Sequence, residues 1–233
     1  MSNLSLILPA YNEEDNTRET VSRSVEVLKG LFDDFEIIIL NDASRDRTGE
    51  IADELAAEHP QIRVIHNKVN VGQGINQIRG FKEARFELVT HNGMDAPFDL
   101  SDVSKMLPLL DEADVVVAGR TDRPGYTIYR KSISAVNKMM LRLLFGLRLT
   151  DCNFVQLYKK SVLDSIKVDA DSTGFVVPEI LIRAHDMGYK IKEIPIEYHA
   201  RKSGEATSGN PRIVYKSLKD MLNFWWKRRR QPH

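Results

Sequence analysis

Four short polar segments hold the side chains that could do chemistry, and each follows an apolar run. The first is Pro9-Ala10-Tyr11-Asn12-Glu13. A tyrosine ring can stack on a flat base, and a glutamate can accept from ribose hydroxyls or base N–H groups. The same residues also read as a helix start, with Asn12 as cap and Glu13, Glu14 and Asp15 facing the helix dipole. The second segment, Asn41-Asp42-Ala43-Ser44-Arg45-Asp46-Arg47-Thr48, offers Asp42 as an acceptor for an exocyclic nucleobase N–H. Asp46 and Thr48 suit a turn and a helix cap. The third, Asn70-Val71-Gly72-Gln73-Gly74, has two glycines that let backbone approach a ligand closely. It lacks the spacing of a dinucleotide fingerprint, and the chain has no GKS or GKT phosphate loop. The fourth runs from Thr90-His91-Asn92-Gly93-Met94-Asp95 to Asp99. A carboxylate there could hold a hard divalent cation bridging two phosphates; Asp95 is well placed, and Asp99 reads as the cap of the next helix.

Such residues meet only if the chain gathers them at one edge, and the apolar pattern predicts how. Residues 4–8 read as a buried strand that stops at Pro9. Val21, Val25 and Leu28 repeat at helical spacing, with Gly30 as the stop. Residues 36–40 predict a second strand, Ile51 to Ala56 a second helix, and residues 62–65 a third strand. A helix carrying Ile75 and Ile78 follows, then a strand over 86–90, a helix over 106–110 and a strand over 115–118. Strands separated by helices imply a mostly parallel sheet, whose ligands bind beyond the strands' carboxyl ends. After Arg120 the rhythm changes. Val136, Met140, Leu143, Leu144 and Leu147 mark a long amphipathic helix. A strand over 154–158, a helix over 180–185 and an edge strand over 191–198, interrupted by Pro195, complete the pattern. This gives one domain over residues 1–210, nucleotide-facing in its first half and acceptor-facing in its second. A C-terminal amphipathic basic helix or tail follows over 211–233.

Composition narrows the classes. The chain has 233 residues, 42% hydrophobic and 28% charged, which excludes a disordered or fibrous protein. Lys+Arg and Asp+Glu both number 33, so there is no global basic field for nucleic acid. The single Cys152 forms no internal disulfide and suits a reducing compartment. Neither a signal peptide nor a membrane span is legible, so the expected location is cytoplasmic. Charge is uneven, however. Between Arg212 and Arg230 the sole acid is Asp220, while Val214, Leu218, Met221, Leu222 and Trp225 form one helical face. Trp225 and Trp226 precede a Lys-Arg-Arg-Arg run, a pattern that suits either an anionic membrane surface or a terminal helix with a solvated basic end.

The order of the motifs carries a resemblance. Pro-Ala-Tyr-Asn-Glu, then Asn-Asp-Ala-Ser-Arg-Asp-Arg-Thr, then Asn-x-Gly-x-Gly-x-x-x-x-Arg-Gly resembles the inverting family 2 glycosyltransferases of GT-A fold. The nearest branch is the dolichol-phosphate mannosyltransferase-like, polyprenyl-phosphate sugar transferases. The resemblance continues through Val117-Ala118-Gly119-Arg120, Tyr129-Arg130-Lys131 and Glu193-Ile194-Pro195-Ile196-Glu197-Tyr198-His199-x-Arg201. It implies a Rossmann-like, three-layer α/β fold with a mostly parallel central sheet. It implies an enzyme that moves a sugar from a nucleoside diphosphate-sugar to a polyprenyl phosphate with inversion. Pro9, Ala10, Tyr11, Glu13 and Asp42 would meet the nucleoside, Gly72 and Gln73 the base or phosphates, and Asn92 and His199 the nucleotide-sugar. Arg120, Arg130 and Arg201 would receive phosphate groups, as guanidinium forks fit phosphate oxygens; with Asp95 they form the expected catalytic set.

One departure matters. The family's Asp-x-Asp, which holds Mg2+ or Mn2+ on the diphosphate, aligns with Gly93-Met94-Asp95, leaving one carboxylate, or in another register with Thr90-His91-Asn92, leaving none. Three readings follow: a weakened metal site at Asp95, a metal-independent transferase built on arginine and histidine, or an inactive nucleotide-sugar-binding or assembly subunit. A nucleotidyltransferase is a further alternative, though Pro9 to Glu13 lacks the glycine-rich basic loop such enzymes open with. A phosphate acceptor is already ionised and needs no general base; a hydroxyl acceptor would draw on Asp151 or Asp95. Residues 134–147 and the terminal helix would form a lipid-facing side. The enzyme would then sit peripherally at the cytoplasmic face of a membrane, held by the basic helix or by a membrane-protein partner, and deleting residues 223–233 would weaken binding to anionic vesicles.

Overall fold

The computed structural model describes residues 3–121, 127–197 and 210–230. Its strands are β1 (Leu4–Ala10), β2 (Phe35–Asn41), β3 (Ile62–His66), β4 (Leu88–His91), β5 (Val115–Arg120), β6 (Val155–Lys159) and β7 (Ile191–Ile196). Its helices are α1 (Glu14–Leu31), α2 (Thr48–Glu58), α3 (Gln73–Glu83), α4 (Val103–Met106), α5 (Ile128–Phe145), α6 (Lys160–Ser165), α7 (Val176–Asp186) and α8 (Pro211–Arg230). Among the described residues the strands form a single sheet in the order β3-β2-β1-β4-β6-β5-β7.

Period-two alternation divides the core between the two faces of this sheet. Leu4, Leu6, Leu8, Ile37, Ile39, Val116 and Ala118 pack on one side, beneath α1, α2 and the α4 region. Ile7, Ile38, Leu40, Val115 and Val117 pack on the other with residues of α3, α5, α6, α7 and α8. The result is the expected three-layer α/β sandwich. β1 pairs in parallel with both β2 and β4, so the chain fills one side of β1 and then crosses to the other. That reversal is a topological switch point, and it opens a crevice beyond the carboxyl ends of β1 and β4.

Several elements differ from the sequence reading for local reasons. Gly30 does not stop α1; the helix runs to Leu31 and ends where Phe32 becomes extended. The helix expected over 106–110 is one turn, α4, flanked by tighter 3-10 turns over 100–102 and 107–111, with Pro108 in the second. α6 was not legible in the pattern, and α5 starts at Ile128, well before the apolar stripe. β6 runs antiparallel to both β4 and β5, a reversal within an otherwise parallel sheet. β7 lies at the sheet edge as expected, parallel to β5, with Pro195 opposite Gly119.

One close approach fixes the crevice floor. A Cβ on Gly80 of α3 would meet Ile7 Cγ2 at 2.3 Å and Leu40 Cδ1 at 3.0 Å. Glycine lets α3 settle against β1 and β2, which places its N-terminus at the strand ends. Gly80→Ala is expected to cost about 1–3 kcal/mol through overpacking, read as a lower urea midpoint with an unchanged slope.

The C-terminal helix is part of the folded unit. Met221 and Phe224 of α8 are buried, and the Phe224 ring lies 5.7 Å from Phe145 and 5.9 Å from Phe175. Part of the basic run is committed to this docking. Arg228 makes two 2.7 Å bonds to Asp186, and Lys227 lies 3.4 Å from Asp169. Apolar side chains remain exposed on both α5 and α8: Val136, Met139 and Leu143 on the first, Tyr215, Leu222 and Trp226 on the second. Among the described residues no helix is long and apolar enough to cross a membrane.

Candidate active site

A cleft of about 1220 Å3 lies at the switch point and extends between α5 and α8. Of the residues expected at the site, Pro9, Ala10, Tyr11, Glu13, Asp42, Gly72, Gln73, Asp95, Arg120 and Arg130 line it. His199 and Arg201 lie outside the described residues. Asn92, expected at the nucleotide, is turned inward. Its Nδ2 donates to the Phe98 carbonyl at 2.8 Å and its Oδ1 accepts from the Gly93 N–H, so its amide closes a turn instead of facing the cleft.

The loops after β1 and β2 are stitched to each other. Ser44 Oγ accepts from the Asn12 N–H, Asn12 Oδ1 accepts from the Arg45 N–H, and Thr48 Oγ1 accepts from the Glu13 N–H at 2.8 Å. Asp46 accepts from the Thr48 and Glu14 N–H groups, so it orders the turn as the sequence predicts; the N-cap position of α2 is Arg47, whose side chain makes no capping bond, and Thr48 is the first residue of the helix. Asn12 is no helix cap: its side chain reaches across to the second loop. Just beyond β1, β2 and β4, Asn12, Ala43 and Ala96 take positive φ values of 53°, 57° and 46°. Three non-glycine residues in this region, at about 1 kcal/mol or more each, mark strand tips bent toward the crevice.

Asp42 is 3% exposed and strongly engaged. Its carboxylate accepts from the Val71 N–H, the Gly72 N–H and Asn67 Nδ2, each at 2.8 Å. Burial alone would raise its pKa, but the Val71 N–H, the Asn67 and Asn76 amides and the Gly72 N–H outweigh it and hold the carboxyl below its ordinary 3.8. Asp42 thus shapes the loop that presents Gly72 and Gln73. Gly72 has φ 87°, a conformation that suits glycine; it immediately precedes α3, and it lines the cleft together with Gln73, the first residue of that helix.

His91, at the end of β4, lies beneath the cleft in a buried polar relay that spacing did not reveal. Gln77 Nε2 lies 3.1 Å from Nδ1, and Gln156 Oε1 lies 2.9 Å from Nε2. This arrangement sets the neutral tautomer with the proton on Nε2. Burial depresses the pKa, against a smaller opposing effect of the Gln156 bond. A buried base with a depressed pKa binds protons more readily in the unfolded state, so it costs no stability above the ordinary 6.5 and destabilises as pH falls below it. The thermal midpoint of wild type is therefore expected to drop further between pH 7.5 and pH 5.5 than that of His91→Gln, as read by scanning calorimetry.

Two further segments complete the site. Gly93, Met94 and Asp95 form the turn after β4; Met94 is buried, and Gly93 and Asp95 line the cleft. A Cβ on Gly93 would stand 2.5 Å from Asp95 Oδ1 and 3.2 Å from Pro97 Cδ. A second carboxylate at 93 would thus displace the first. Among the described residues no group of three or more His, Cys, Asp or Glu is arranged to hold a metal. One carboxylate still suits Mg2+ or Mn2+ when substrate phosphates supply other ligands. On the opposite wall Arg120, at the tip of β5, bonds Asp151 through Nε at 2.5 Å and Nη2 at 3.1 Å, and its guanidinium lies 5.1 Å from the Phe154 ring centroid. Arg130 lies in the first turn of α5 beside Tyr129. Cys152 lines the same wall, but burial, with the nearby Asp151 and Glu193 charges, pushes its thiol up to about 12, so it is no nucleophile.

With this geometry in place, relatives become informative. The family described as "Glycosyl transferase family 2" matches residues 5–167. The undecaprenyl-phosphate mannosyltransferase of Micrococcus luteus is 29% identical over 86% of this chain and 85% of its own length. The dolichol-phosphate mannosyltransferase of Pyrococcus furiosus is 32% identical over 87% of this chain and 58% of its own. The glycosyltransferase AglD of Haloferax volcanii is 28% identical over 96% of this chain, which spans 37% of that longer protein. Among solved structures, glucosyl-3-phosphoglycerate synthase from Mycobacterium tuberculosis, in complex with Mn2+, UDP-glucose and phosphoglyceric acid, superposes with a TM-score of 0.75. It is 19% identical, and the match covers 97% of this chain and 80% of that one, a likeness of fold.

Proposed function

The chain belongs to glycosyl transferase family 2, and from that premise we propose that it moves a sugar from a nucleoside diphosphate-sugar to a polyprenyl phosphate, inverting the anomeric carbon. One observation carries the acceptor: the cleft that the loops after β1 and β3 line is also lined by Arg120 and Arg130 and, on α5 and α8, by the apolar Ile133, Val136, Met140, Val214 and Leu218 among polar residues such as Ser134 and Lys138. An anionic head on an apolar chain matches that combination of surfaces. Relatives named as polyprenyl-phosphate transferases support it.

The donor's nucleoside would sit against Tyr11, Glu13 and the Gly72–Gln73 turn, its diphosphate between Asp95 and the α3 N-terminus. A Mg2+ or Mn2+ held by Asp95 together with the diphosphate would neutralise charge on the leaving group. Arg120 and Arg130 would hold the acceptor phosphate so that its oxygen reaches the anomeric carbon from the opposite side. That oxygen is already ionised, so no side chain need remove a proton. Incubation with UDP-, GDP- and CDP-sugars and undecaprenyl phosphate, with Mn2+ or EDTA, tests this by release of nucleoside diphosphate. Pyrophosphate release would indicate nucleotidyl transfer. Nucleotide binding without release of either would indicate a non-catalytic subunit.

The apolar lining also supports peripheral association with a membrane through α5 and α8. Deleting residues 223–233 would be a poor test, because Phe224 belongs to the core. Trp226 is 52% exposed, with Arg230 over its ring at 4.5 Å. Replacing Trp226, Arg229 and Arg230 with Ala is expected to weaken sedimentation with anionic vesicles on the order of tenfold at low salt, at an unchanged thermal midpoint.

A further inference from the structure

Arg120 is held by an assembly that begins on a different strand. Glu193, on β7, points its carboxylate at the turn preceding β6. Its Oε1 accepts from the Thr150 N–H at 2.9 Å, Thr150 Oγ1 at 2.7 Å and the Asp151 N–H at 3.0 Å, while Oε2 accepts from the Thr150 N–H at 3.0 Å. The turn fixed in this way carries Asp151, whose two oxygens grip Arg120. The Arg120 side chain is 11% exposed and that of Asp151 4%, so little solvent competes with the pair.

Gly119, immediately before Arg120, makes the assembly possible. A Cβ there would meet both Glu193 Oε1 and Thr150 Oγ1 at 2.8 Å. Any larger residue would wedge into the Glu193–Thr150 bond. The sequence Gly119-Arg120 therefore combines clearance for the clamp with the side chain that the clamp orients.

We infer that Glu193 is a positioning residue, which acts through Thr150 and Asp151 to aim the Arg120 guanidinium at an anionic phosphate in the cleft. This inference rests on the reading of Arg120 as a phosphate-binding group. Removing Glu193 leaves three donors of the 150–151 turn without their acceptor, and the turn relaxes toward water. Asp151 moves with it, and Arg120 loses its fixed plane. Glutamine at 193 keeps an oxygen where Oε1 accepts its three bonds, so Glu193→Gln retains most of the clamp.

The experiment follows the Arg120 Nε–H resonance of 15N-arginine-labelled protein, assigned with Arg120→Lys. In wild type it is expected to resonate apart from the solvent-exposed arginines. In Glu193→Ala it is expected to collapse toward them, and in Glu193→Gln to stay. Titration with inorganic phosphate should move it in wild type, with at least tenfold weaker apparent affinity in Glu193→Ala, while the affinity for the preferred nucleoside diphosphate stays within about twofold. If Glu193→Ala does not fold, Gly119→Ala opens the same clamp with Glu193 intact and is expected to shift the resonance likewise. A resonance unchanged in the folded variant overturns the positioning role, as does a nucleotide affinity that falls as far as the phosphate affinity. A wild-type resonance indifferent to phosphate refutes the phosphate-binding reading of Arg120 instead, since the ligand-free spectra test the clamp by themselves.

Discussion

Asp95→Ala is expected to lower kcat for sugar transfer by about 10²- to 10³-fold, with a small effect on folding. The size of the effect depends on where charge develops. When the anomeric carbon leaves its phosphate oxygen, the diphosphate gains negative charge, and interactions made with that charge lower the barrier directly. Asp95 cannot stabilise an anion alone; it would act by retaining a divalent cation against the diphosphate. It is the carboxylate in the cleft turn after β4, and Gly93 allows no second one beside it without displacing it. The same steric relation predicts how the metal responds. With one protein carboxylate, affinity should depend heavily on the nucleotide, so Mn2+ should bind weakly to the free enzyme and tighten when nucleoside diphosphate is present. Calorimetric titration of Mn2+ with and without nucleotide checks this, alongside steady-state rates in Mn2+ and in EDTA. Equal rates for wild type and Asp95→Ala would transfer the burden to the arginines.

The parts of the candidate site legible in the sequence are those where residue chemistry and chain order coincide. Asp42, Gly72, Asp95 and Arg120 each follow an apolar strand, and a parallel sheet delivers the ends of such strands to one edge. What stayed hidden depends on contacts between distant segments. Glu193 is 43 residues from Thr150, and no local pattern links them. Gln77 and Gln156 are two unremarkable glutamines until the sheet brings them to opposite sides of His91. The resemblance places Asn92 at the nucleotide-sugar, whereas in the fold its amide bonds the Phe98 carbonyl and the Gly93 N–H, contacts that no local pattern announces.

The fold divides in the same way. Alternation of Leu6 with Ile7 and of Ile37 with Ile38 identifies strands buried on both faces, but it does not state direction. β6 enters the sheet antiparallel between β4 and β5, although α5 lies between β5 and β6 in the chain and a helical crossover usually joins parallel strands. α8 was legible as an amphipathic helix. That its basic end docks through Arg228 and Asp186 depends on an acid 42 residues away. The Lys-Arg-Arg-Arg run therefore divides between holding the helix down and facing outward, a division that composition cannot express.

Arg120→Ala is expected to damage both stability and chemistry, and a second substitution should separate the two. Asp151 is buried, and removing the guanidinium leaves its charge without the partner that compensates it. Loss of one member of a buried pair costs about 3–5 kcal/mol. For a chain of this size that lowers the thermal midpoint by roughly 10 °C. The same change removes a cation from the acceptor side of the cleft, and the transfer rate is expected to fall by at least 10²-fold. In Arg120→Ala/Asp151→Asn the orphaned charge is gone while a side chain of similar shape still accepts from the Asn153 N–H. Most of the lost midpoint should return in that double variant. Activity should not, because neutralising Asp151 restores no positive charge to the cleft. If activity recovered with stability, Arg120 would be a scaffold for the wall of the cleft and the acceptor phosphate would rest on Arg130. If neither recovered, the stability of this wall would depend on the stacking of Arg120 over Phe154 more than on its charge.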